Sequence, residues 1–229
     1  MKIILEGIVG STAYGLAGPD SDVDVAGIYV APTRPFLGIQ PPQDKGSTVA
    51  MTDPDITYHE VGKFCRLALK ANPSITDMLW LDSYTRGTWE GLYLVGHREF
   101  FLSGPQVRNS YLGYATDQFG RIKRRESNDF SSDTKHRTAK HARHLLRLLQ
   151  QGIDLWSTGE VHVKLEDPER YIEFGEAVQA GDMTLPAKAL EAAEYEFNHG
   201  TCALPDVPDI ARIDEMLINI RQHQPDVVV

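Results

Sequence analysis

The spacing of apolar and polar positions changes partway along the chain. Before residue 104, short runs of β-forming residues predict strands, and after it the apolar residues recur at helical spacing, most clearly over 134–151. The segments predicted as strands are 2–7, 22–30 and 55–58. The pattern therefore predicts an α/β (α+β) chain with one domain over 1–104 and a mainly helical domain over 105–229.

Residues that start or stop elements add three finer expectations. Asn72-Pro73 ends one predicted helix, and Ser74 is expected to cap the next. A short strand is expected over 36–39, within a stretch that is rich in proline. Another short strand is expected over 160–164, where Val161 and Val163 alternate with polar residues.

The charge of the chain is acidic and uneven. Lys and Arg total 23 against 32 Asp and Glu, a net charge of −9. Between Arg121 and Arg147 there are nine basic and three acidic residues, a local charge of +6, so the rest of the chain carries −15. An acidic protein does not coat nucleic acid in bulk, because Lys and Arg supply affinity for phosphate backbones. The asymmetry is compatible with a local basic surface.

Several classes of protein are disfavoured by what the sequence lacks. Its two cysteines, Cys65 and Cys202, have no zinc-site spacing and indicate no disulfide framework. No apolar stretch approaches 18 residues, and the short apolar run near the N-terminus does not resemble a signal peptide. We therefore expect a cytoplasmic protein with no membrane partner.

One motif follows the first predicted strand. Gly10-Ser11 forms a turn into a short helix, and Ser11 is expected to cap that helix, whose free N–H groups suit a phosphate. Asp22 and Asp24 then lie two residues apart on the second predicted strand, so both carboxylates are expected on one face. Two like charges on one face are costly unless a cation lies between them, and Mg²⁺ or Mn²⁺ fits carboxylate ligands best.

This combination resembles the nucleotidyltransferase signature of the DNA polymerase beta superfamily. It is most similar to the predicted nucleotidyltransferases associated with RNA repair, which include phage-encoded members. These proteins continue from Ser-Asp-x-Asp to a third carboxylate and then to a helix that ends near Asn-Pro, as this chain does from Asp55 to Asn72-Pro73. The resemblance implies a palm with a short mixed sheet flanked by helices, followed by the helical domain.

The resemblance also implies roles for individual residues. Asp22, Asp24 and Asp55 are expected to hold two Mg²⁺ or Mn²⁺ ions and to be the catalytic carboxylates. Asp53 and Glu60 compete with Asp55 for the third position. The Gly10-Ser11 turn is expected to contact the β- and γ-phosphates of the nucleotide.

Three further residues carry two interpretations. Lys63 is either a solvated helix lysine or a contact to nucleotide phosphate. Lys140 and His141 match the family pattern, and Lys140, His144 and Arg147 share one face of the predicted helix. That face is either a solvated basic surface or a contact to phosphate, so Lys140 and His141 are candidate nucleotide-binding residues.

The function implied is transfer of NMP from an NTP, often ATP, to a hydroxyl acceptor, with release of pyrophosphate. An RNA end is the acceptor that the family association suggests. The alternatives are a protein hydroxyl, as for nucleotidylating toxins of the superfamily, and a nucleotide-binding sensor that transfers nothing. Neither a Walker loop nor a dinucleotide fingerprint is present.

Overall fold

The computed structural model describes residues 1–19, 21–126 and 132–223. They form two compact units. The first comprises Met1–Leu102 together with the segment that begins at Pro208, and the second comprises Ser103–Val207. The sequence predicted a division at residue 104, which would place the segment from Pro208 in the helical domain.

The first unit is built on a mixed sheet of five strands. The strands are β1 (Lys2–Val9), β2 (Asp24–Val30), β3 (Thr48–Thr52), β4 (Asp55–Glu60) and β5 (Arg86–Gly87). Their order across the sheet is β3-β4-β2-β1-β5. β2 and β4 are parallel, and the other neighbouring pairs are antiparallel. The sheet thus places the start of β2 beside the start of β4, at one end.

Four α-helices lie between or directly after the strands of this unit: α1 (Gly10–Tyr14), α2 (Val61–Ala68), α3 (Pro73–Leu79) and α4 (Trp89–Gly96). In α2 the buried residues recur at helical spacing, because one side of the helix forms core. Pro73 is the first residue of α3, and the side chain of Asn72 accepts a hydrogen bond from the Ile75 N–H. Asn72 is therefore the cap of α3, and the expectation that Ser74 caps it is wrong.

In the second unit, all regular structure of the described residues 103–126 and 132–207 is helical. Its helices are α5 (Gly104–Glu126), α6 (Ser132–Thr158), α7 (Pro168–Gln179) and α8 (Thr184–His199). α6 packs most extensively, against α5 and α7. Gly152 allows α5 to come close, since a Cβ there would lie 2.6 Å from the Cβ of Tyr111.

The last helix, α9 (Ile210–Gln222), belongs to the first unit. Its buried residues Ile213, Met216 and Ile220 follow helical spacing. It contacts α2, α4 and the short 3-10 turn Arg98–Phe101. The fold class expected from the sequence, an α/β part followed by a mainly helical one, is confirmed.

Two strands expected from the sequence are absent from the described chain. Arg34–Leu37 is a 3-10 turn around Pro35, and Leu37 and Ile39 are exposed. Residues 160–164 form no strand although Val161 and Val163 are buried. The Gln151 side chain donates to the carbonyls of His162 and Val163, in place of a partner strand. None of the helices in the described ranges has the length and apolar character needed to cross a bilayer.

Candidate active site

The site begins where β1 runs into α1. Gly10 is the first residue of α1 and has φ +67°, a left-handed conformation that glycine adopts without strain. Val9 occupies the cap position, and no side chain caps the helix. The expectation that Ser11 caps it is wrong, because the strand turns into the helix at Gly10 and leaves Ser11 inside the first turn.

Asp24 lies directly against this turn. It is the first residue of β2 and pairs with Val9, the last residue of β1. A Cβ at Gly10 would lie only 2.0 Å from Oδ2 of Asp24. The backbone of the Gly10-Ser11 turn and the Asp24 carboxylate are therefore in close contact, and any side chain at residue 10 would displace that carboxylate. The Gly10-Ser11 turn and Asp24, which are separate parts of the sequence motif, are thus neighbours in the structure.

Asp55 begins β4, next to Asp24. The parallel pair β2–β4 is in register with Val25 opposite Ile56, so Asp24 and Asp55, one residue earlier on each strand, lie at the same level. Adjacent strands are about 4.8 Å apart, and residues in register point to the same face. The register thus brings two carboxylates side by side at one end of the sheet, with Asp55 exposed and Asp24 half-buried.

Asp22 lies outside the strand expected to carry it. β2 starts at Asp24, and residues 21–23 have no regular structure. β1 ends at Val9, the partner of Asp24, so there is no strand for Asp22 to pair with. The alternation argument that placed Asp22 and Asp24 on one strand face is therefore wrong for this structure. Within the described ranges, no three His, Cys, Asp or Glu side chains are grouped closely enough to hold an ion.

Glu60, one competitor for the third carboxylate position, is occupied elsewhere. Its side chain is 2% exposed, and Oε2 accepts a hydrogen bond from the Gly62 N–H at 2.8 Å, which caps α2. Oε1 forms an ion pair of 2.8 Å with Arg221 of α9, whose guanidinium lies over the Phe36 ring. Asp53, the other competitor, lies in the turn between β3 and β4.

The three strands that carry the motif are braced on the opposite face of the sheet. Tyr58 of β4 lies across Gly27 of β2, and its hydroxyl donates to Glu6 of β1 at 2.5 Å. A Cβ at Gly27 would lie 2.8 Å from the Tyr58 ring. Burial, and then the carboxylate of Glu6, raise the pKa of Tyr58 to about 12, so the hydroxyl keeps its proton. This contact stabilises the register that aligns Asp24 with Asp55.

Lys63 is tied to neighbouring groups of its own unit. Its ammonium donates to the hydroxyl of Thr48 at 2.5 Å and to the carbonyl of Asp44 at 3.1 Å. The same hydroxyl contacts Nδ1 of His59 at 2.9 Å. Burial, and then the charge of Lys63, lower the pKa of His59. Lys63 is thus neither a freely solvated lysine nor directed by these contacts to the carboxylates, and its contact with phosphate stays a prediction.

Lys140 and His141 lie in the helical unit, on α6. Lys140 is exposed, and Nδ1 of His141 is 2.7 Å from the side-chain oxygen of Gln118 on α5. The helix face that Lys140 shares with His144 and Arg147 is solvated only in part, because Lys140 is exposed and Arg147 is 1% exposed. Contact of Lys140 and His141 with nucleotide stays a prediction.

Sequence reasoning missed the side chains that hold the elements of the site together. The hydroxyl of Tyr14, in α1, donates to the buried carboxylate of Asp77, in α3, at 2.8 Å. Arg221 reaches Glu60 from 161 positions away in the chain. Neither pair lies in a motif or at a spacing typical of one helix or strand, so no signal in the sequence indicates these contacts.

Comparison with known proteins shows the family of the chain. The family model described as "RlaP: RNA repair pathway DNA polymerase beta family" matches residues 1–171. No curated protein matches the chain. Among solved structures, a nucleotidyltransferase-like protein from Exiguobacterium sibiricum is similar at 12% identity and a TM-score of 0.32, over 97% of this chain and 75% of that one.

The family match spans about three quarters of the chain and includes the Gly10-Ser11 turn, Asp24 and Asp55. This chain belongs to the RNA repair pathway DNA polymerase beta family and is a nucleotidyltransferase of the polymerase beta type.

Proposed function

We propose that the protein transfers NMP from an NTP to a hydroxyl at an RNA end, in a reaction that requires divalent metal ions. The observation that carries this proposal is the register of β2 and β4, which sets Asp24 and Asp55 side by side, with the Gly10 turn against Asp24. The family description, which names an RNA repair pathway, supports RNA as the acceptor.

The donor set at this end of the sheet fits Mg²⁺ or Mn²⁺. Asp24 and Asp55 offer carboxylate oxygens, the ligands that these ions prefer, and Asp22 lies two residues before Asp24. We assign Asp24 and Asp55 as ligands, and Asp22 as a ligand that joins them from the segment before β2. When bound, two such ions would lower the pKa of the attacking hydroxyl and neutralise charge on the departing pyrophosphate.

In the transfer, the acceptor oxygen forms a bond to the α-phosphorus of the NTP. The bond from that phosphorus to the oxygen that bridges the α- and β-phosphates breaks, and this oxygen leaves with pyrophosphate. Asp55 is exposed and so is the carboxylate available to take the hydroxyl proton, directly or through water. The Gly10-Ser11 turn orients the phosphates through its backbone N–H groups. Positioning and charge stabilisation supply most of the rate in such reactions.

The proposal is tested by incubating the protein with each α-labelled NTP, Mg²⁺ or Mn²⁺, and either total RNA or a protein extract. We expect labelled RNA with the unaltered protein. Asp24→Asn should abolish the label, whereas Asp53→Asn, a matched change in the β3–β4 turn, should retain it.

Two results would contradict the proposal in different ways. A labelled protein band without labelled RNA would make the acceptor a protein hydroxyl. Binding of NTP with no transfer to either extract would make the site a sensor.

A further inference from the structure

The short helix α1 forms one side of the proposed site, and its position depends on contacts with other elements. It is five residues long, and none of the five is buried. A helix of this length is not stable by itself in water, so the rest of the fold must hold it in place. Because α1 begins at Gly10, which lies against the Asp24 carboxylate, a shift of α1 would change the geometry of the site.

The end of α1 that lies away from Gly10 is closed by a tight turn. Gly15 has φ +75°, the left-handed conformation that often ends a helix. The N–H groups of Gly15 and Leu16 donate to carbonyls inside α1, at 3.2 Å and 2.8 Å. These bonds hold residues 10–16 together as one segment, so a contact made by Tyr14 also restrains the turn at Gly10.

Helix α3, unlike α1, lies in the core of the first unit. Six of its seven residues are buried, and Asp77 among them is 1% exposed. Its start is fixed by Pro73 as the first helical residue and by the Asn72 cap. It also packs against β1, the strand that leads into α1. A bond from α1 to α3 therefore connects an element without buried residues to one that the core holds firmly.

The hydrogen bond between Tyr14 and Asp77 makes this connection. The Tyr14 hydroxyl donates to Oδ2 of Asp77 at 2.8 Å, across 63 positions of sequence. Burying a carboxyl group costs free energy unless its oxygens accept hydrogen bonds. If α1 moved away, Asp77 would lose this donor at a buried position, so the fold favours the arrangement in which Tyr14 stays in place.

We propose that Tyr14 and Asp77 are positioning residues of the active site, because their hydrogen bond holds the Gly10 turn against the Asp24 carboxylate. This inference rests on the proposed function, in which Asp24 binds metal and the turn orients the phosphates of the NTP. The Tyr14 hydroxyl is directed at Asp77, and Asp77 is buried in α3, so both act through the position of α1. Small displacements of groups that bind the substrate are costly in such sites.

The test uses Tyr14→Phe, which removes the hydroxyl and keeps the ring. Its matched control is Tyr84→Phe, because the Tyr84 hydroxyl donates to the Met78 carbonyl of α3 at 3.0 Å and Tyr84 is half-buried, as Tyr14 is. Both variants lose one hydrogen bond to α3, but only Tyr14→Phe loses a bond between α3 and α1. Thermal denaturation should therefore show small and similar losses of stability for the two variants.

Two measurements should separate the variants. In hydrogen–deuterium exchange of the free protein, the amides of residues 10–16 should exchange about fivefold faster in Tyr14→Phe, because the segment opens more often. In calorimetry with ATP and Mg²⁺, Tyr14→Phe should bind about fivefold to tenfold more weakly than the unaltered protein, as expected for the loss of one hydrogen bond. Tyr84→Phe should change either quantity less than about twofold.

Several outcomes would overturn the inference. Faster exchange without weaker ATP binding would make the hydrogen bond a contribution to stability alone, and weaker ATP binding without faster exchange would make Tyr14 a direct contact to the nucleotide. Equal effects of Tyr84→Phe, or no binding of ATP by the unaltered protein, would also contradict it.

The positioning role and the proposed transfer can fail separately. If Tyr14→Phe shows both expected effects but the unaltered protein labels neither RNA nor protein, the transfer reaction is wrong and the positioning role stands for nucleotide binding. If the unaltered protein labels RNA while Tyr14→Phe matches it in exchange and in ATP affinity, the transfer stands and the positioning role is wrong.

Discussion

The end of the sheet and the helix α6 differ in how far their charged side chains are exposed. At the end of the sheet, Asp22 and Asp55 are exposed carboxylates. In α6, Arg147 is buried and held by hydrogen bonds to Gln151 and His144. An exposed charge can be changed without disturbing the fold, whereas a buried one is part of it. The comparison predicts where substitutions alter activity and where they alter stability.

The largest effect is expected for Asp55→Asn. Because Asp55 is exposed, the free energy of unfolding should stay within about 0.5 kcal/mol, yet transfer should fall roughly 10³-fold, the loss expected when several kcal/mol of charge stabilisation disappear. ATP affinity should fall much less, since this carboxylate serves the attacking hydroxyl. Single-turnover kinetics and calorimetry separate the two effects. If Asp53→Asn or Glu60→Gln reduces turnover without unfolding the protein, Asp55 is not the third carboxylate.

Glu60→Gln tests whether the burial of a carboxylate, rather than its position in the first unit, decides how much its loss destabilises the fold. The change leaves Arg221, whose side chain is 13% exposed, without its carboxylate partner. Removing one member of a buried ion pair costs about 3–5 kcal/mol. Urea denaturation should show that loss, and the matched surface change Glu215→Gln, in the exposed pair with Arg212, should cost less than about 1 kcal/mol. Equal losses in the free energy of unfolding for the two variants would contradict the distinction between buried and exposed charges.

His144 of α6 should make the stability of the protein depend on pH. Burial, and then the neighbouring positive charges, lower the pKa of His144 from 6.5 to about 3 in the folded protein. Below pH 6.5 the unfolded chain therefore binds a proton that the folded chain does not. Stability is therefore lost as pH falls from 6.5 towards 3, by about 2 kcal/mol between pH 7 and pH 5. Denaturation of His144→Gln should show a weaker dependence over that range. His199→Gln, an exposed histidine of the same unit, should leave the slope unchanged.

Gly10→Ala is expected to reduce stability less than Glu60→Gln does. Alanine at φ +67° costs about 1 kcal/mol. The new methyl group would collide with the carboxylate of Asp24, the end of a flexible side chain, which moves aside. Activity should therefore fall further than stability does. Thermal denaturation and the transfer assay check this, and Gly46→Ala, where a Cβ meets nothing within 4 Å, is the control.

Local patterns in the sequence predicted much of the fold. Helical spacing identified α2 and most of α6, and the motif located the Gly10 turn next to Asp24 and Asp55. Alternation alone was misleading where no partner strand exists, as at Asp22 and over 160–164. Register between strands, which aligns Asp24 with Asp55, is set by contacts such as Tyr58 with Glu6 that link distant residues.

The burial of Arg147 could not be predicted either. Its spacing with Lys140 and His144 indicates a shared helix face, but not whether that face meets solvent or another helix. The packing of α5 against α6, and the bonds to Gln151 and His144, decide it. Spacing within one helix carries no information on which neighbour covers it.

Binding of Mn²⁺ in the presence of ATP tests the central claim most directly, because the claim is that the register of β2 and β4 creates a metal site. Electron paramagnetic resonance counts free Mn²⁺ as protein is added. We predict that the unaltered protein and Asp53→Asn bind the ion, and that Asp24→Asn and Asp55→Asn each lose at least one bound ion. Equal binding by all four proteins would contradict the assignment of Asp24 and Asp55 as metal ligands.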